Sequence, residues 1–215
     1  MKFVISYSCG KDSALALHRM IKEGHTPVGL LVMMNKEAGR SWFHGVAPCL
    51  LEKIADSLGI PLIAVESTGE GYHTSMEDAL GKTKQMGAEC CVFGDIDIEE
   101  HFDWCAERCR NAGIEYRFPL WQQNREALTT ELIGLGYHAV IKCVNNKLLP
   151  REYLGKELTA ELVADLKGRG IDVCGENGEY HTVVLDGPAF RYPVKYALKE
   201  TMDFGEYSAI NIEIG

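Results

Sequence analysis

The stretch Ser8-Cys9-Gly10-Lys11-Asp12-Ser13 combines residue types that can hold an anion. It follows the apolar run Phe3–Tyr7 and precedes the helix-like run Ala14–Met20, so it lies where a buried strand turns into a helix. The first N–H groups of a helix have no partner within the helix, and the helix dipole favours negative charge beside them. We therefore predict an anion site of the phosphate type at this turn.

The side chains of the motif fit that chemistry. Gly10 lets the backbone approach a ligand closely, Lys11 adds a positive charge, and Ser8 and Ser13 add hydroxyl donors. The motif is not a Walker loop, which needs glycine where Ile5 lies and serine or threonine directly after the lysine. An ordinary helix start after a buried strand is the alternative interpretation.

Cys9 allows two interpretations. Its thiol is reactive if the helix start lowers its pKa, or it is a small residue tolerated where the motif otherwise favours glycine. A second cysteine pattern places His101, Cys105 and Cys109 on one helix face. Three ligands on one straight helix cannot close around an ion without help, so buried packing is the alternative there.

Acidic residues follow another strand-like run. Asp95 and Asp97 stand in Gly94-Asp95-Ile96-Asp97, where their carboxylates would project over the same crevice as the anion loop. We expect Asp95 to hold Mg²⁺ or a substrate amine, and Asp97 to cap the helix that begins near Glu99.

Two further segments carry chemistry-bearing side chains. Gly175–Thr182 places two acids, an aromatic ring and an imidazole between glycines that allow the chain to curl. A polar hairpin turn is the alternative interpretation. The connection Met34–Gly45 contains Trp42, Phe43 and His44 and would border the same crevice. A surface loop pinned by its two aromatic residues is the alternative there.

The whole chain sets bounds on the function. It has 215 residues, with 31 acidic against 22 basic side chains and a formal net charge of −9, which does not favour nucleic acid as a partner. No apolar run reaches the roughly 20 residues that span a bilayer, and no signal-peptide pattern is visible. We therefore expect no membrane partner and a cytoplasmic location with reduced cysteines.

Strand and helix patterns alternate through the first half. This order predicts an α/β fold, a parallel sheet with helices on both faces, over residues 1–120. A smaller C-terminal α+β portion, residues 121–215, would bind the substrate. The predicted strands are Lys2–Ser8, Pro27–Met33, Ile60–Val65, Glu89–Gly94, Glu115–Phe118, Tyr137–Val144, Tyr192–Leu198 and Tyr207–Ile214. The predicted helices are Ser13–Glu23, Ala47–Leu58, Ser75–Gln85, Glu99–Asn111, Asn124–Leu135 and Thr159–Gly168.

These motifs together resemble one family. The loop 8–13 is similar to the PP-loop of ATP pyrophosphatases, Ser-Gly-Gly-x-Asp-Ser, with Cys9 in place of the first glycine. Over nearly its whole length the chain resembles the diphthine–ammonia ligase family. The segments that carry the resemblance are Ser8–Ser13, Ser41–His44, Gly94–Ile96, Pro119–Trp121, Leu154-Gly155 and Cys174–Tyr180.

The resemblance implies the PP-loop (Rossmann-like) fold of adenine nucleotide α-hydrolases, with ATP and Mg²⁺ as cofactors. It implies an ATP-dependent amide ligase that adenylates a carboxylate, releases pyrophosphate, and lets ammonia displace AMP. The elongation factor that carries diphthine would be the protein partner, and free ammonia the nitrogen source.

By the same resemblance, the site residues take three roles. The nucleotide would contact Ser8, Cys9, Gly10, Lys11, Asp12, Ser13 and Met33. Lys11, Asp12 and Asp95 would act in catalysis, with Asp12 and Asp95 on the metal. The quaternary ammonium of diphthine would meet His44, Asp95, Glu176, Glu179 and Tyr180.

Other functions stay open at this point. One alternative is a PP-loop enzyme that acts on another substrate, including tRNA. Another is a nucleotide-binding regulatory module without turnover. A homo-oligomer is also open, because the extended C-terminal segment offers a strand that could pair across a symmetric interface.

Overall fold

A parallel sheet forms the first half of the protein in a computed structural model that describes residues 1–215. Its strands run in the order β4-β2-β1-β5-β6, and every pair among them is parallel. The short β3 adds to β2 in the antiparallel direction. The bounds are β1 (Lys2–Ser6), β2 (Thr26–Asn35), β3 (Arg40–Ser41), β4 (Leu62–Ser67), β5 (Cys90–Val92) and β6 (Glu115–Arg117).

Helices cover both faces of this sheet, which confirms the predicted architecture. They are α1 (Lys11–Lys22), α2 (Pro48–Leu58), α3 (Tyr72–Gln85) and α4 (Glu99–Ala112). Leu15 of α1 and Ile54 of α2 belong to the core on one face, whereas Leu80 of α3 and Cys109 of α4 belong to the core on the other. The central strands β1, β2 and β5 are largely apolar because helices bury them from both sides, whereas the outer strands β4 and β6 are partly exposed.

The second half forms an antiparallel sheet with two helices. They are α5 (Arg125–Gly134) and α6 (Ala160–Gly168), beside β7 (His138–Asn145), β8 (Tyr180–Asp186), β9 (Tyr196–Phe204) and β10 (Tyr207–Ile214). The strand order is β8-β7-β10-β9. Ile5 of the parallel sheet and Val184 of the antiparallel sheet belong to one hydrophobic core, so the two sheets pack against each other.

The helix starts correct one prediction. Asp97 does not cap α4, because the residue before that helix is Ile98 and no side chain bonds to its first N–H groups. Asp97 instead accepts two hydrogen bonds from the guanidinium of Arg125. Asn124 and Thr159 are the side chains that cap α5 and α6.

The ninth strand corrects another prediction. The expected strand Tyr192–Leu198 begins instead at Tyr196 and continues to Phe204, so the turn into β10 is at Gly205 and Glu206. None of the helices is long and apolar enough to cross a bilayer.

Candidate functional site

The strand order creates a crevice beside β1. The chain leaves β1 toward β2 on one side and later returns to pair β5 on the other, which makes the carboxyl end of β1 a topological switch point. A cavity of about 700 Å³ opens there and extends under the start of β8. Nine of the predicted site residues line it: Ser8, Lys11, Asp12, Ser13, Met33, His44, Asp95, Glu176 and Tyr180.

The loop between β1 and α1 is held by its own serines. Ser8 Oγ accepts a hydrogen bond from the Gly10 N–H at 3.2 Å, and Ser13 Oγ donates to the Gly10 carbonyl at 3.0 Å. The N–H groups of Asp12 and Ser13 have no partner within the protein. Two free donors at a helix start are available to an anion, as the motif predicts.

Cys9 and Gly10 do not line the cavity. Cys9 is buried with a φ of +67°, a conformation that glycine adopts without strain, and its carbonyl accepts the Val184 N–H at 2.8 Å. Burial raises the pKa of its thiol, which contradicts a reactive thiolate. Position 10 requires glycine because the His44 ring lies close to its backbone, and a Cβ there would be 2.6 Å from that ring.

Opposite charges meet on one wall. The Lys11 ammonium is 2.6 Å from an Asp12 oxygen and 3.7 Å from a Glu176 oxygen. Burial lowers the pKa of Lys11, but the charge of Asp12, with smaller effects of Cys174, Tyr180 and then Glu176, outweighs burial and leaves that pKa well above its ordinary value. Burial raises the pKa of Glu176 to about 7 despite the opposing effect of Lys11. The lysine therefore stays charged, and Glu176 titrates near neutrality.

One group of side chains has the spacing of a metal site. Ligand atoms of Asp12, Cys174 and Glu176 lie within 4.8 Å of one another. Burial raises the pKa of the Cys174 thiol to about 12, so it remains protonated and is a poor ligand. Two carboxylates beside a phosphate-type loop are the donors that Mg²⁺ prefers.

Asp95 lies apart from that group, which changes its expected role on the metal. Its nearest polar neighbours are His101 Nδ1 at 3.6 Å and Cys105 Sγ at 4.0 Å. Cys109 is fully buried, and no metal-type group includes it, His101 or Cys105. The alternative metal site on that helix face is therefore not formed, and Asp95 is an acidic residue with weak contacts on the cavity wall.

Two histidines and Thr182 join the wall to the loop. Thr182 Oγ1 accepts the Lys11 N–H at 3.0 Å, and its carbonyl accepts the His44 Nδ1–H at 2.8 Å. The rings of His44 and His181 are 4.8 Å apart. Burial lowers their pKa values to about 4 and about 3, so both are neutral at physiological pH. The contact between Thr182 and Lys11 could not be predicted from a local sequence pattern, because 171 positions separate these two residues.

Glu179 does not line the cavity, which corrects its expected role in binding substrate. Its carboxylate accepts hydrogen bonds from the backbone N–H of Asp172 at 3.3 Å and of Asn177 at 3.0 Å. The side chain therefore holds the turn from inside. Tyr180 presents its ring to the cavity, while its hydroxyl donates to the Val173 carbonyl at 2.6 Å.

Four aromatic rings also line the cavity. Trp42 and Phe43 come from the connection after β3, Tyr72 from the start of α3, and Trp104 from α4. The Tyr72 ring centroid lies 5.7 Å from that of Trp42, 6.3 Å from that of Phe43 and 5.6 Å from that of Trp104. We call these four residues the aromatic cluster. Tyr72 and Trp104 were not predicted, because their proximity depends on how α3 packs against α4.

The fold and the loop define a nucleotide-binding α/β protein of the PP-loop type. Comparison with known proteins identifies the family. The family model described as the diphthamide synthase N-terminal domain matches residues 1–116, and that of the C-terminal domain matches residues 124–213. The chain belongs to this diphthamide synthase family.

Relatives with curated names agree with that assignment. A diphthine–ammonia ligase of Bos taurus is 37% identical, over 89% of this chain and 81% of the relative. A diphthine–ammonia ligase of Danio rerio is 27% identical, over 94% of this chain and 89% of the relative. A predicted subunit of a tRNA methyltransferase from Methanocaldococcus jannaschii has a TM-score of 0.47 at 16% identity, over 90% of this chain and 100% of that chain.

Proposed function

We propose that this chain is a diphthine–ammonia ligase that adenylates the diphthine carboxylate with ATP and then aminates it with ammonia. Membership of a family whose curated relatives are named ligases confirms the predicted enzyme class. The observation that supports the proposed chemistry is the meeting of free loop N–H groups, Lys11 and paired carboxylates in one cavity at the switch point.

In the first step, an oxygen of the substrate carboxylate attacks the α-phosphorus of ATP, and pyrophosphate leaves with the electrons of the broken P–O bond. The free N–H groups of Asp12 and Ser13, with the ammonium of Lys11, lie where they can bind the departing phosphates. In the second step, ammonia attacks the acyl carbon, AMP leaves, and a proton is released. The products are the amide, AMP and pyrophosphate.

The donor set fits Mg²⁺ as the cofactor. Asp12 and Glu176 would hold it together with phosphate oxygens, and Cys174 would stay protonated beside them. When bound, the ion offsets charge on the phosphates. Lys11 already neutralises part of this wall, so the carboxylates can lie close together before any ligand binds.

The experiment incubates the purified protein with ATP, Mg²⁺, ammonium and a diphthine-bearing elongation factor. We expect stoichiometric AMP, pyrophosphate and amidated factor, detected by chromatography and intact mass. Asp12→Asn should lower the rate by about 100-fold or more while the protein stays folded. Asp103→Asn, an exposed residue of α4 outside the cavity, is the matched control and should keep full activity. AMP formation without amidation of the factor would refute the substrate assignment.

A further inference from the structure

The aromatic cluster is a feature of the cavity that ATP and ammonia do not explain. Phe43 is 72% exposed although it is a large apolar side chain, and it stands beside the half-buried rings of Trp42 and Tyr72. An exposed aromatic ring beside half-buried ones on a cavity wall is typical of a binding surface. Asp95 lines the same cavity and adds a negative charge.

We propose that the aromatic cluster and Asp95 form the subsite for a quaternary ammonium group of the acceptor substrate. This inference rests on the proposed function, because diphthine supplies such a cation. Aromatic faces attract cations through the ring quadrupole, and methylated ammonium groups bind in cages of such rings. Of the acidic residues expected to meet the cation, the subsite keeps Asp95 and leaves out Glu179.

The hydrogen bonds of the indoles narrow the class of ligand. Trp42 Nε1 donates to Ser67 Oγ at 3.0 Å, and Trp104 Nε1 donates to His73 Nε2 at 3.2 Å. Both indole N–H groups are therefore occupied within the protein and are not available to a ligand. An adenine base needs hydrogen-bonding partners along its edge, whereas a quaternary ammonium has no N–H to satisfy. The cluster thus suits the methylated cation better than the base.

The charge at this end agrees with a cationic ligand. Asp95 forms one long ion pair with a basic side chain, His101 at 3.6 Å, and its side chain stays 25% exposed on the cavity wall. Burial raises the pKa of Tyr72 to about 12, and the nearby groups Cys105 and Asp95 add to this effect, so the phenol stays neutral. The Arg108 guanidinium lies 5.7 Å from the Trp104 ring, and its positive charge is offset by ion pairs with Glu77 and Glu107.

The position of the subsite suits the geometry of the reaction. The quaternary ammonium of diphthine is on the carbon next to the carboxylate, so its subsite must border the phosphate loop. Gly94 packs directly against that loop, since a Cβ on it would lie 2.8 Å from the Asp12 carbonyl carbon and the Ser13 nitrogen. Asp95 is the next residue, and it therefore stands beside the loop that would hold the nucleotide.

Binding is tested first without turnover, with tetramethylammonium chloride as the probe and neopentyl alcohol as the neutral isostere. The protein has three tryptophans, of which Trp121 lies outside the cavity and is an internal control. We expect tetramethylammonium to shift the indole N–H resonances of Trp42 and Trp104 but not Trp121, and neopentyl alcohol to have a much smaller effect. If AMP produces the same shifts and displaces the probe, the cluster is a base site and the inference is wrong.

Kinetics with the diphthine-bearing elongation factor separate the subsite from the reaction itself. Tyr72→Leu should raise the KM for the factor by about tenfold and leave the KM for ATP unchanged. Tyr72→Phe keeps the ring and should restore the wild-type KM. Equal KM values for the factor in wild type and Tyr72→Leu would overturn the subsite while the ligase activity stands. No AMP from the wild type would refute the proposed function, whereas probe binding at the two tryptophans would still support the cation subsite.

Discussion

At the scale of single residues, Cys9 shows how a motif tolerates a departure from its pattern. Its φ of +67° is in the left-handed region, which costs a residue with a Cβ of the order of 1 kcal/mol. Burial of the side chain and the hydrogen bond from Val184 to its carbonyl hold the loop in that conformation. We therefore predict that Cys9 is a structural replacement for glycine and not a nucleophile.

The thiols provide a direct check on that assignment. Of eight cysteines, Cys49 is exposed and the other seven are buried. We expect an aromatic disulfide reagent at pH 8 to modify one thiol rapidly in the native protein and all of them after denaturation. Cys49→Ser should remove the rapid reaction. A fast-reacting thiol at Cys9 in that variant would contradict the structural role.

Lys142 carries a buried ammonium with no hydrogen-bond partner. Burial lowers its pKa to about 8, and the charge of Arg40 adds to this effect. The pKa of Lys142 is 10.5 in the unfolded chain and about 8 in the folded protein. Below pH 8 the buried charge therefore destabilises the folded protein to its full extent, and above pH 10.5, where the lysine is neutral in both states, this effect is absent. Lys142→Met should therefore add about 2–3 kcal/mol to the free energy of unfolding at pH 7.

Denaturant titrations at pH 7 and pH 10 measure that gain, which should shrink at the higher pH. Lys36→Met is the matched control, since Lys36 is exposed and makes no ion pair. A loss of stability in Lys142→Met at pH 7 would mean that the ammonium contributes favourable interactions in the folded protein.

At the scale of elements, charged groups contact the turn before β8 from both sides. From inside the turn, Glu179 accepts hydrogen bonds from backbone N–H groups. From outside, Arg125 of α5 donates hydrogen bonds to Asp172 and Asn177, and its Nη1 lies 3.0 Å from Asn177 Oδ1. The same guanidinium binds Asp97 after β5. Arg125 thus ties the two segments that carry Asp95 and Glu176.

Glu179→Gln tests the structural role of that carboxylate. An amide presents an NH₂ group to one of the backbone donors, so we expect a loss of about 2 kcal/mol in the free energy of unfolding. Hydrogen exchange should show lower protection of the Asp172 and Asn177 amides. The measurement is a thermal melt at pH 8 together with exchange by NMR.

Glu176→Gln is the control for that variant. Folding raises the pKa of Glu176 from 4.5 to about 7. The contribution of Glu176 to the free energy of unfolding is therefore fully present below pH 4.5 and is lost as the pH rises through 7. At pH 8 the glutamine variant should therefore be as stable as the wild type or more so. Equal effects of the two substitutions would mean that Glu179 does not hold the turn.

At the scale of the whole molecule, the sequence predicts what depends on local pattern. The loop 8–13 and the alternating elements of the first sheet follow from neighbouring residues. The contacts of Lys11 with Thr182 and with Glu176 join distant parts of the chain, so they depend on how the two sheets pack. The position of Glu179 outside the cavity could not be predicted for the same reason, because the sequence does not say which side of a turn faces the cavity.

We propose that the portions 1–120 and 121–215 fold as one cooperative unit rather than as independent domains. Val184 donates to the Cys9 carbonyl and Thr182 accepts the Lys11 N–H, so β8 completes the loop that would hold the nucleotide. The core against α1 contains residues of both sheets, and removing the second sheet would expose it to water.

The fragment 1–120 should therefore lack a cooperative thermal transition and fail to bind ATP, whereas the full chain unfolds in one step. Circular dichroism melts and isothermal titration with ATP measure the two properties. Adding the fragment 121–215 in trans should restore both, because it supplies Thr182 and Val184 to the loop. A sharp transition in 1–120 alone, with the ATP affinity of the full chain, would show that the loop is complete without β8 and that the first sheet is a domain of its own.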